Sequence, residues 1–180
     1  CCGFDVLGFS IDGLGDEIII HKSDLKGVRI NNIFGHNVPL KAKENTATVA
    51  AQSLLDYLNV NQGFDIEINK NIKPGSGIGS SAASAVGAVY GINKILGNPL
   101  KKEQLLKFAM KGEFISSKTA PADNVASALY GGLILVNNRE NYNVVKLPVP
   151  KDLLAVVHHP LIEIKTSKSR SVLPKTIDIN

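Results

Sequence analysis

A glycine- and serine-rich stretch at residues 73–84 carries the residue types best suited to binding an anion in this 180-residue sequence. Glycines let the backbone turn sharply and approach a ligand closely, so that successive N–H groups can point at one phosphate. An alanine-rich segment follows, and a helix beginning there would add unpaired N–H groups and the positive end of its dipole. We therefore predict a phosphate-binding loop, called the glycine-serine loop. Its members are Pro74, Gly75, Ser76, Gly77, Ile78, Gly79, Ser80, Ser81, Ala82 and Ala83.

Other loop classes match this stretch less well. A Walker A loop requires a lysine after its last glycine, where this sequence has Ser80. The glycine spacing satisfies a dinucleotide-binding fingerprint, but the acidic residue at the required distance, Glu103, lies in a predicted helix rather than at a strand end. A degenerate hydrolase nucleophile elbow, with Asp123 and His158 or His159 following in order, lacks its last glycine. A plain strand-to-helix turn is the alternative that binds no ligand.

Two carboxylates, Glu113 and Asp123, stand ten residues apart on either side of a polar segment. Phosphoryl transfer needs a metal ion near the phosphate oxygens and an acceptor hydroxyl held in line. Glu113 could hold Mg²⁺ together with the hydroxyl of Ser80 or Ser81, because Mg²⁺ takes a few oxygen ligands and keeps waters. Asp123 and Asn124 could orient an alcohol. The alternatives are an exposed helix-end charge for Glu113 and a helix N-cap for Asp123.

Further residues could recognise a substrate amino acid. Thr166 can cap a short helix that places Arg170 one turn later on the same face. The planar guanidinium of Arg170 suits a carboxylate, and Asp5 could receive an ammonium group. An ordinary surface arginine and a turn-forming aspartate are the alternatives.

Composition and charge limit the class of protein. The sequence is 44% hydrophobic and 20% charged, with a net charge of +4 whose lysines are scattered. We therefore expect a globular protein that binds no nucleic acid. The longest uncharged run, residues 74–93, is too polar to span a bilayer, so no membrane association is expected. Two adjacent cysteines at the start cannot form a disulfide framework, which favours a reducing, cytoplasmic location.

Apolar periodicity predicts an alternation of strands and helices. Apolar residues repeat at helical spacing from residue 47 to residue 58, with Asn45 or Thr46 available as the cap. Apolar and polar residues alternate over 64–69, as in a strand with one buried face. The predicted strands are 16–21, 27–33, 64–69, 132–136, 144–147 and 154–158; the predicted helices are 47–58, 80–96 and 98–114, with a polar loop at 116–124.

Pro148 and Pro150 mark a predicted domain boundary. We expect one domain over residues 1–150, and only the beginning of a second over 151–180, because some thirty residues are too few to complete an independent fold. On this interpretation the sequence lacks the C-terminal part of the protein.

Four motifs together, at residues 3–9, 74–83, 122–125 and 166–170, resemble the GHMP kinase family and, within it, the homoserine kinases. The resemblance covers essentially the whole chain. It implies phosphorylation of L-homoserine to O-phospho-L-homoserine, a step towards threonine, with ATP and Mg²⁺. The implied fold is α+β, with a left-handed βαβ phosphate-binding unit in the N-terminal domain and a ferredoxin-like C-terminal domain, and it allows a homodimer.

Carried over by position, the family pattern implies roles for particular residues. ATP phosphates would lie against residues 74–83, and Mg²⁺ near Glu113 with Ser80 or Ser81. The residues implied around homoserine are Asp5, Asp123, Asn124, Thr166 and Arg170.

Two positions depart from patterns common in the family. Many members carry an aspartate catalytic base where this chain has Asn124, whose amide is no base at neutral pH. The resemblance thus favours proton transfer directly to phosphate, with Asp123 orienting the hydroxyl. Pro121 replaces a histidine frequent in homoserine kinases. A kinase of the same family acting on mevalonate or a sugar, and a non-catalytic nucleotide-binding fragment, remain the alternatives.

Overall fold

The computed structural model describes residues 3–118, 122–138 and 142–158, together with residues 172 and 176. These ranges form an α+β structure. In chain order its elements are β1 (Leu7–Phe9), β2 (Glu17–Ser23), β3 (Val28–Gly35), α1 (Thr46–Leu58), β4 (Gly63–Lys70), α2 (Ser80–Ile95), α3 (Lys102–Ser117), α4 (Ala122–Tyr130), β5 (Leu133–Asn138) and β6 (Asn143–Leu147).

The strands of the described ranges form two three-stranded sheets, ordered β2-β4-β3 and β1-β5-β6. In the first sheet β4 pairs antiparallel with β2 and parallel with β3, so that β3, α1 and β4 make a βαβ unit. In the second sheet β5 pairs antiparallel with both β1 and β6. The handedness of the βαβ unit stays a prediction.

The apolar patterns are confirmed at β4, α1 and α2. Phe64, Ile66 and Ile68 are fully buried on one face of β4, where the polar residues between them are partly exposed. Asn45 caps α1, since its side chain accepts a hydrogen bond from the backbone N–H of Ala47 at 2.9 Å. Helix α1 packs against α2 and α3, and this helical layer covers the inner face of the first sheet.

Helix α3 begins later and ends later than the sequence predicts. The predicted helix started at residue 98, but Asn98 has a left-handed φ of 59° and the helix starts only at Lys102. The backbone N–H of Lys101 donates to Gln104 Oε1 at 2.9 Å, which fixes the start. At its other end α3 continues to Ser117, so Glu113 lies one turn inside the helix.

The predicted polar loop at 116–124 is wrong at its C-terminal end. Helix α4 begins at Ala122 and includes both Asp123 and Asn124 in its first turn. Ala122, Val125, Ala126 and Leu129 recur at helical spacing and are buried, and their burial outweighs the local polarity that favoured a loop.

Two strand assignments also differ. Residues 154–158 were predicted to be a strand but have no regular structure, with Leu154 88% and Val156 95% exposed. An alternating apolar run becomes a strand only by pairing, and the described residues provide no pairing partner. Strand β1 was not predicted because three residues carry too little periodicity to recognise.

None of the helices in the described ranges combines the length and the apolar character that crossing a membrane requires.

Candidate active site

The glycine-serine loop joins β4 to α2 and depends on three glycines. Gly75, Gly77 and Gly79 have φ values of 73°, 78° and 77°, a left-handed conformation that other residues rarely adopt. Gly79 is also the N-cap of α2, and it provides no side-chain hydrogen bond to the first turn. The amide groups that open the helix thus lack the side-chain cap that α1 has.

Two local features make this loop suitable for an anionic ligand. A Cβ placed on Gly77 would meet nothing within 4 Å, so the loop is open at its middle glycine. The hydroxyl oxygen of Ser76 is buried, yet among the described residues it has no hydrogen-bond partner. Buried hydroxyl groups are normally hydrogen-bonded, so a partner from a ligand would complete this one. The loop therefore fits an anionic ligand such as a phosphate group.

A buried ion pair between Lys70 and Asp16 holds the base of the loop. Lys70 Nζ pairs with Asp16 and also donates to the carbonyl of Ser80 at 2.6 Å. Asp16 Oδ1 accepts the backbone N–H groups of Asn71 at 3.1 Å and Ile72 at 3.0 Å. Both charged side chains are only 1% exposed, and burial lowers the pKa of Lys70 while the hydrogen bond to Asp16 acts in the opposite direction. The pair links the end of β4, the loop and the start of α2.

The sequence analysis missed this ion pair, although a signal exists. Lys70 continues the inward positions of β4 after Phe64, Ile66 and Ile68, so the alternation itself directs a lysine into the core. A lysine at such a position requires a buried partner. The identity of that partner depends on tertiary packing, because Asp16 lies on a distant part of the chain.

Glu113 is a buried carboxylate beside the start of α2. Only 6% of the residue is exposed, and burial raises the pKa of its carboxyl. Hydrogen bonds from Ser81 and Ser116 act to lower that pKa, and Ser116 Oγ donates to Glu113 Oε1 at 3.2 Å. The exposed helix-end interpretation of Glu113 is therefore wrong.

The two loop serines have different surroundings. Ser81 is bonded to Glu113, whereas the hydroxyl of Ser80 donates to the carbonyl of Ile72 at 2.8 Å. Of the predicted metal-binding set, the structure thus brings Ser81 and Glu113 together and directs the Ser80 hydroxyl elsewhere.

The charges near Glu113 make the position suitable for a divalent cation. The charge of Asp123 raises the pKa of Glu113, and the charge of Lys70 lowers it, so all three side chains lie within electrostatic reach. A carboxylate and a hydroxyl are the hard oxygen donors that Mg²⁺ prefers. Within the part of the chain that the structure describes, no group of three or more His, Cys, Asp or Glu residues could hold a metal ion. The Glu113 carboxylate and the Ser81 hydroxyl fit Mg²⁺ that takes its remaining ligands from phosphates and water.

Helix α4 brings the predicted acceptor residues to the loop. A Cβ placed on Gly79 would lie 3.7 Å from Asn124 Oδ1, so the first turn of α4 faces the last glycine of the loop. Asp123 lies inside the helix and is not its N-cap. A Cβ placed on Gly8 would lie 2.5 Å from the carbonyl oxygen of Asp123, which shows that β1 rests directly on the same turn.

Three motifs that are distant in sequence thus meet around the start of α2. They are the segment at residues 3–9, the glycine-serine loop and the segment at residues 122–125. Asp5 precedes β1 and has a left-handed φ of 63°. Thr166 and Arg170, predicted to bind the substrate, lie outside the described residues.

Comparison with known proteins relates this arrangement to a family. The sequence pattern of the GHMP kinases N terminal domain matches residues 45–132, a range that includes the loop, Glu113 and Asp123. The homoserine kinase of Chlorobium phaeobacteroides strain BS1 is 37% identical over 190 residues, which cover 99% of this chain and 59% of that protein.

Solved structures agree with the sequence relatives. The crystal structure of homoserine kinase from Cytophaga hutchinsonii ATCC 33406 is 46% identical, with a TM-score of 0.90 over 99% of this chain and 57% of that one. A mevalonate kinase from Methanococcus jannaschii, 21% identical with a TM-score of 0.57, covers 76% of this chain and 47% of its own and shows a shared fold alone. The chain spans less than two thirds of the length of each of these relatives.

Proposed function

Because the chain belongs to the GHMP kinase family, we propose that it carries the ATP-binding and acceptor-orienting residues of a homoserine kinase. The reaction is transfer of the terminal phosphoryl group of ATP to the side-chain hydroxyl of L-homoserine, which gives O-phospho-L-homoserine and ADP, and we assign it to the protein that contains this sequence. One observation supports the proposal: three features lie next to one another at the start of α2. They are the glycine-serine loop, the buried Glu113–Ser81 pair, and the first turn of α4 with Asp123 and Asn124.

Phosphate binding rests on the glycine-serine loop. Its amide groups, together with those of the first turn of α2, would donate to phosphate oxygens, and the helix dipole favours the negative charge. The buried hydroxyl of Ser76 gains its missing partner from the same phosphates. Because the loop is anchored by Lys70 and Asp16, these donors are ordered before the nucleotide arrives.

Glu113 and Ser81 would hold Mg²⁺. When bound, this ion neutralises charge on the phosphate oxygens and helps to align them. Ser116 orients the Glu113 carboxylate by donating to one of its oxygens. Because burial raises the pKa of Glu113, protons compete with the cation for this carboxylate, so Mg²⁺ binding should weaken as the pH falls.

Asp123 would orient the acceptor by accepting a hydrogen bond from the homoserine hydroxyl. Asn124 has an amide, which cannot remove a proton at neutral pH. The hydroxyl oxygen therefore bonds to phosphorus as the bond to the ADP oxygen breaks, and the proton passes directly to the transferred phosphoryl group. Asp5 would receive the substrate ammonium group and Arg170 would bind its carboxylate, with Thr166 also near the substrate.

The remaining predictions belong to the same proposal. They are the left-handed βαβ crossover, the division into residues 1–150 and a C-terminal ferredoxin-like domain beginning at 151–180, the cytoplasmic location, and a homodimer. Each is supported by the family resemblance.

The test is ADP release by the full-length protein with L-homoserine, mevalonate or galactose as the acceptor. We expect release that depends on L-homoserine and on Mg²⁺. Release with mevalonate or galactose instead would assign the chain to another kinase of the family. Tight ATP binding without release for any acceptor would support the non-catalytic alternative.

A further inference from the structure

Gly112 occupies an interior position of α3, where glycine needs a physical reason. Glycine in the middle of a helix is less stable than alanine, because it loses more backbone freedom on folding. Gly112 is the eleventh residue of the sixteen-residue helix α3 and immediately precedes the buried Glu113. The position therefore gives up stability unless the absent side chain is needed for packing.

The packing of α3 on α1 supplies that reason. A Cβ on Gly112 would overlap the carbonyl oxygen of Thr46, and it would lie 3.2 Å from the Thr46 carbonyl carbon and 2.8 Å from Ala50 Cβ. Backbone atoms and a Cβ cannot swing aside as the end of a long side chain can. An alanine at 112 would force α3 away from α1 at this point.

The same turn of α1 also contacts the start of α2. Thr46 Oγ1 donates to the carbonyl of Ser81 at 3.4 Å, and α1 is itself held at this end by the Asn45 cap, whose Nδ2 donates to the carbonyl of Pro39 at 2.7 Å. The first turn of α1 is therefore a fixed support that touches both Gly112 and Ser81. Its position sets how far Glu113 lies from Ser81.

We propose that Gly112 is a positioning residue that seats Glu113 against Ser81 and thereby sets how strongly Mg²⁺ tightens ATP binding. The inference rests on the proposed function, because it assigns the metal to these two side chains. Gly112 touches neither nucleotide nor metal. It acts by letting α3 approach α1 closely enough for the Glu113 carboxylate to meet the loop.

The experiment measures the ATP affinity of the full-length protein by calorimetry, once with EDTA and once with excess MgCl₂. The measured ratio is the dissociation constant in EDTA divided by the dissociation constant in MgCl₂. In Gly112→Ala we expect this ratio to fall about tenfold or more, as when groups that orient metal ligands are lost. ATP affinity in EDTA should change less than about threefold, because the loop amides and their Lys70–Asp16 anchor are untouched.

Gly91→Ala is the matched control. Gly91 is also an interior helix glycine at a close contact, since its Cβ would lie 2.6 Å from Ile20 Cδ1, but it faces the sheet far from the start of α2. Because Ile20 Cδ1 is the end of a side chain that can move aside, we expect this variant to fold and to keep an unchanged ratio. An equal fall of the ratio in Gly91→Ala, or an unchanged ratio in Gly112→Ala, would overturn the proposal.

A second variant covers the case in which Gly112→Ala does not fold. Ala50→Gly combined with Gly112→Ala removes the Cβ of Ala50 from the overlap, and Ala50→Gly alone is its reference. The ratio in the double variant should be lower than in Ala50→Gly, because the Thr46 carbonyl still overlaps the new Cβ. Equal ratios in these two variants would contradict the inference. If the wild-type chain binds ATP without any effect of Mg²⁺, the proposed metal site itself fails, which is a different result.

Discussion

Two regions of the candidate active site are positioned in different ways. One is the glycine-serine loop, and the other is the acceptor side, defined as Glu113, Asp123 and Asn124. The loop takes its shape from backbone conformation within one short segment, with left-handed glycines and an uncapped helix. The acceptor side takes its groups from the side chains of two helices that are held in place by close packing. The loop can be recognised from the sequence alone, whereas the roles of the acceptor-side residues become apparent only from the residues that pack around them.

The supports beneath the two regions differ in the same way. A buried ion pair, Lys70–Asp16, fixes the loop through hydrogen bonds to backbone atoms. Glycines without side chains, Gly8 and Gly112, fix the acceptor side by allowing close approach. Removing a charge of the Lys70–Asp16 pair should therefore disturb the loop, and adding a methyl group at the close contacts of Gly8 or Gly112 should disturb the acceptor side.

The largest effect should come from Lys70→Met, which leaves Asp16 buried without its cation. Removing one partner of a buried ion pair costs about 3–5 kcal/mol, and here the Ser80 carbonyl also loses its donor. Urea unfolding should show this loss, and ATP binding should weaken with it. The double variant Lys70→Met with Asp16→Asn should be more stable than Lys70→Met alone.

Lys41→Met is the control for removing a lysine from an ion pair. Lys41 pairs with Glu44 on the surface, where the two side chains are 81% and 57% exposed. Exposed pairs of this kind contribute about 0–1 kcal/mol. Equal losses in the two lysine variants would mean that the Lys70–Asp16 pair does not anchor the loop.

Asp123→Asn should have the next largest effect, and on the other region. Loss of the group that orients the acceptor hydroxyl should lower turnover by about a hundredfold or more, because the amide offers a weaker acceptor to the hydroxyl. ATP affinity should stay within about threefold, since the loop is intact. Steady-state ADP release and calorimetry measure the two quantities.

Asp65→Asn provides the comparison for loss of a carboxylate elsewhere. Asp65 accepts a hydrogen bond from Arg29 Nε at 2.9 Å on the outer face of the first sheet. Its substitution should leave turnover nearly unchanged. Turnover in Asp123→Asn equal to that of the wild type would remove Asp123 from the proposed mechanism.

These contrasts explain how much of the protein can be predicted from sequence. Helix α1, the alternation in β4 and the glycine-serine loop depend on nearby residues, and their patterns predict them. The sequence predicts a loop at the first turn of helix α4 because Asp123 and Asn124 favour turns locally, whereas the burial that stabilises the helix comes from other elements. The contact of Gly8 with Asp123 joins residues more than a hundred positions apart, which periodicity does not report.

Two glycine substitutions should have smaller effects than the changes above, and they should distinguish the glycine-serine loop from the acceptor side. Gly77→Ala has open space but imposes a left-handed φ on alanine, at about 1–2 kcal/mol, so ATP affinity should fall about tenfold. Gly8→Ala has no left-handed φ but would push on the Asp123 carbonyl, so turnover should fall about tenfold with ATP affinity little changed. Calorimetry and ADP release on both variants test this crossed pattern, and two variants with the same profile would argue against separate supports.

The smallest effect concerns the pH dependence of stability in metal-free buffer. Burial raises the pKa of Glu113 above its ordinary value of 4.5, so over the window between the two values the folded protein holds a proton that the unfolded chain has lost. Unfolding releases that proton, and stability therefore falls as the pH rises through the window. Glu113→Gln stays neutral, so its melting temperature relative to the wild type should rise from pH 4.5 upward and then level off.

Ser116→Ala sharpens the same measurement. The Ser116 hydroxyl favours the ionised form of Glu113, so its removal should raise the pKa of that carboxyl further and extend the decline to higher pH. Thermal melts of the three proteins in EDTA between pH 4 and pH 8 follow the difference. Parallel curves for the wild type and Glu113→Gln would show that burial does not raise the pKa of the Glu113 carboxyl. The acceptor side would then be solvated like a protein surface, which contradicts the close packing of its contacts.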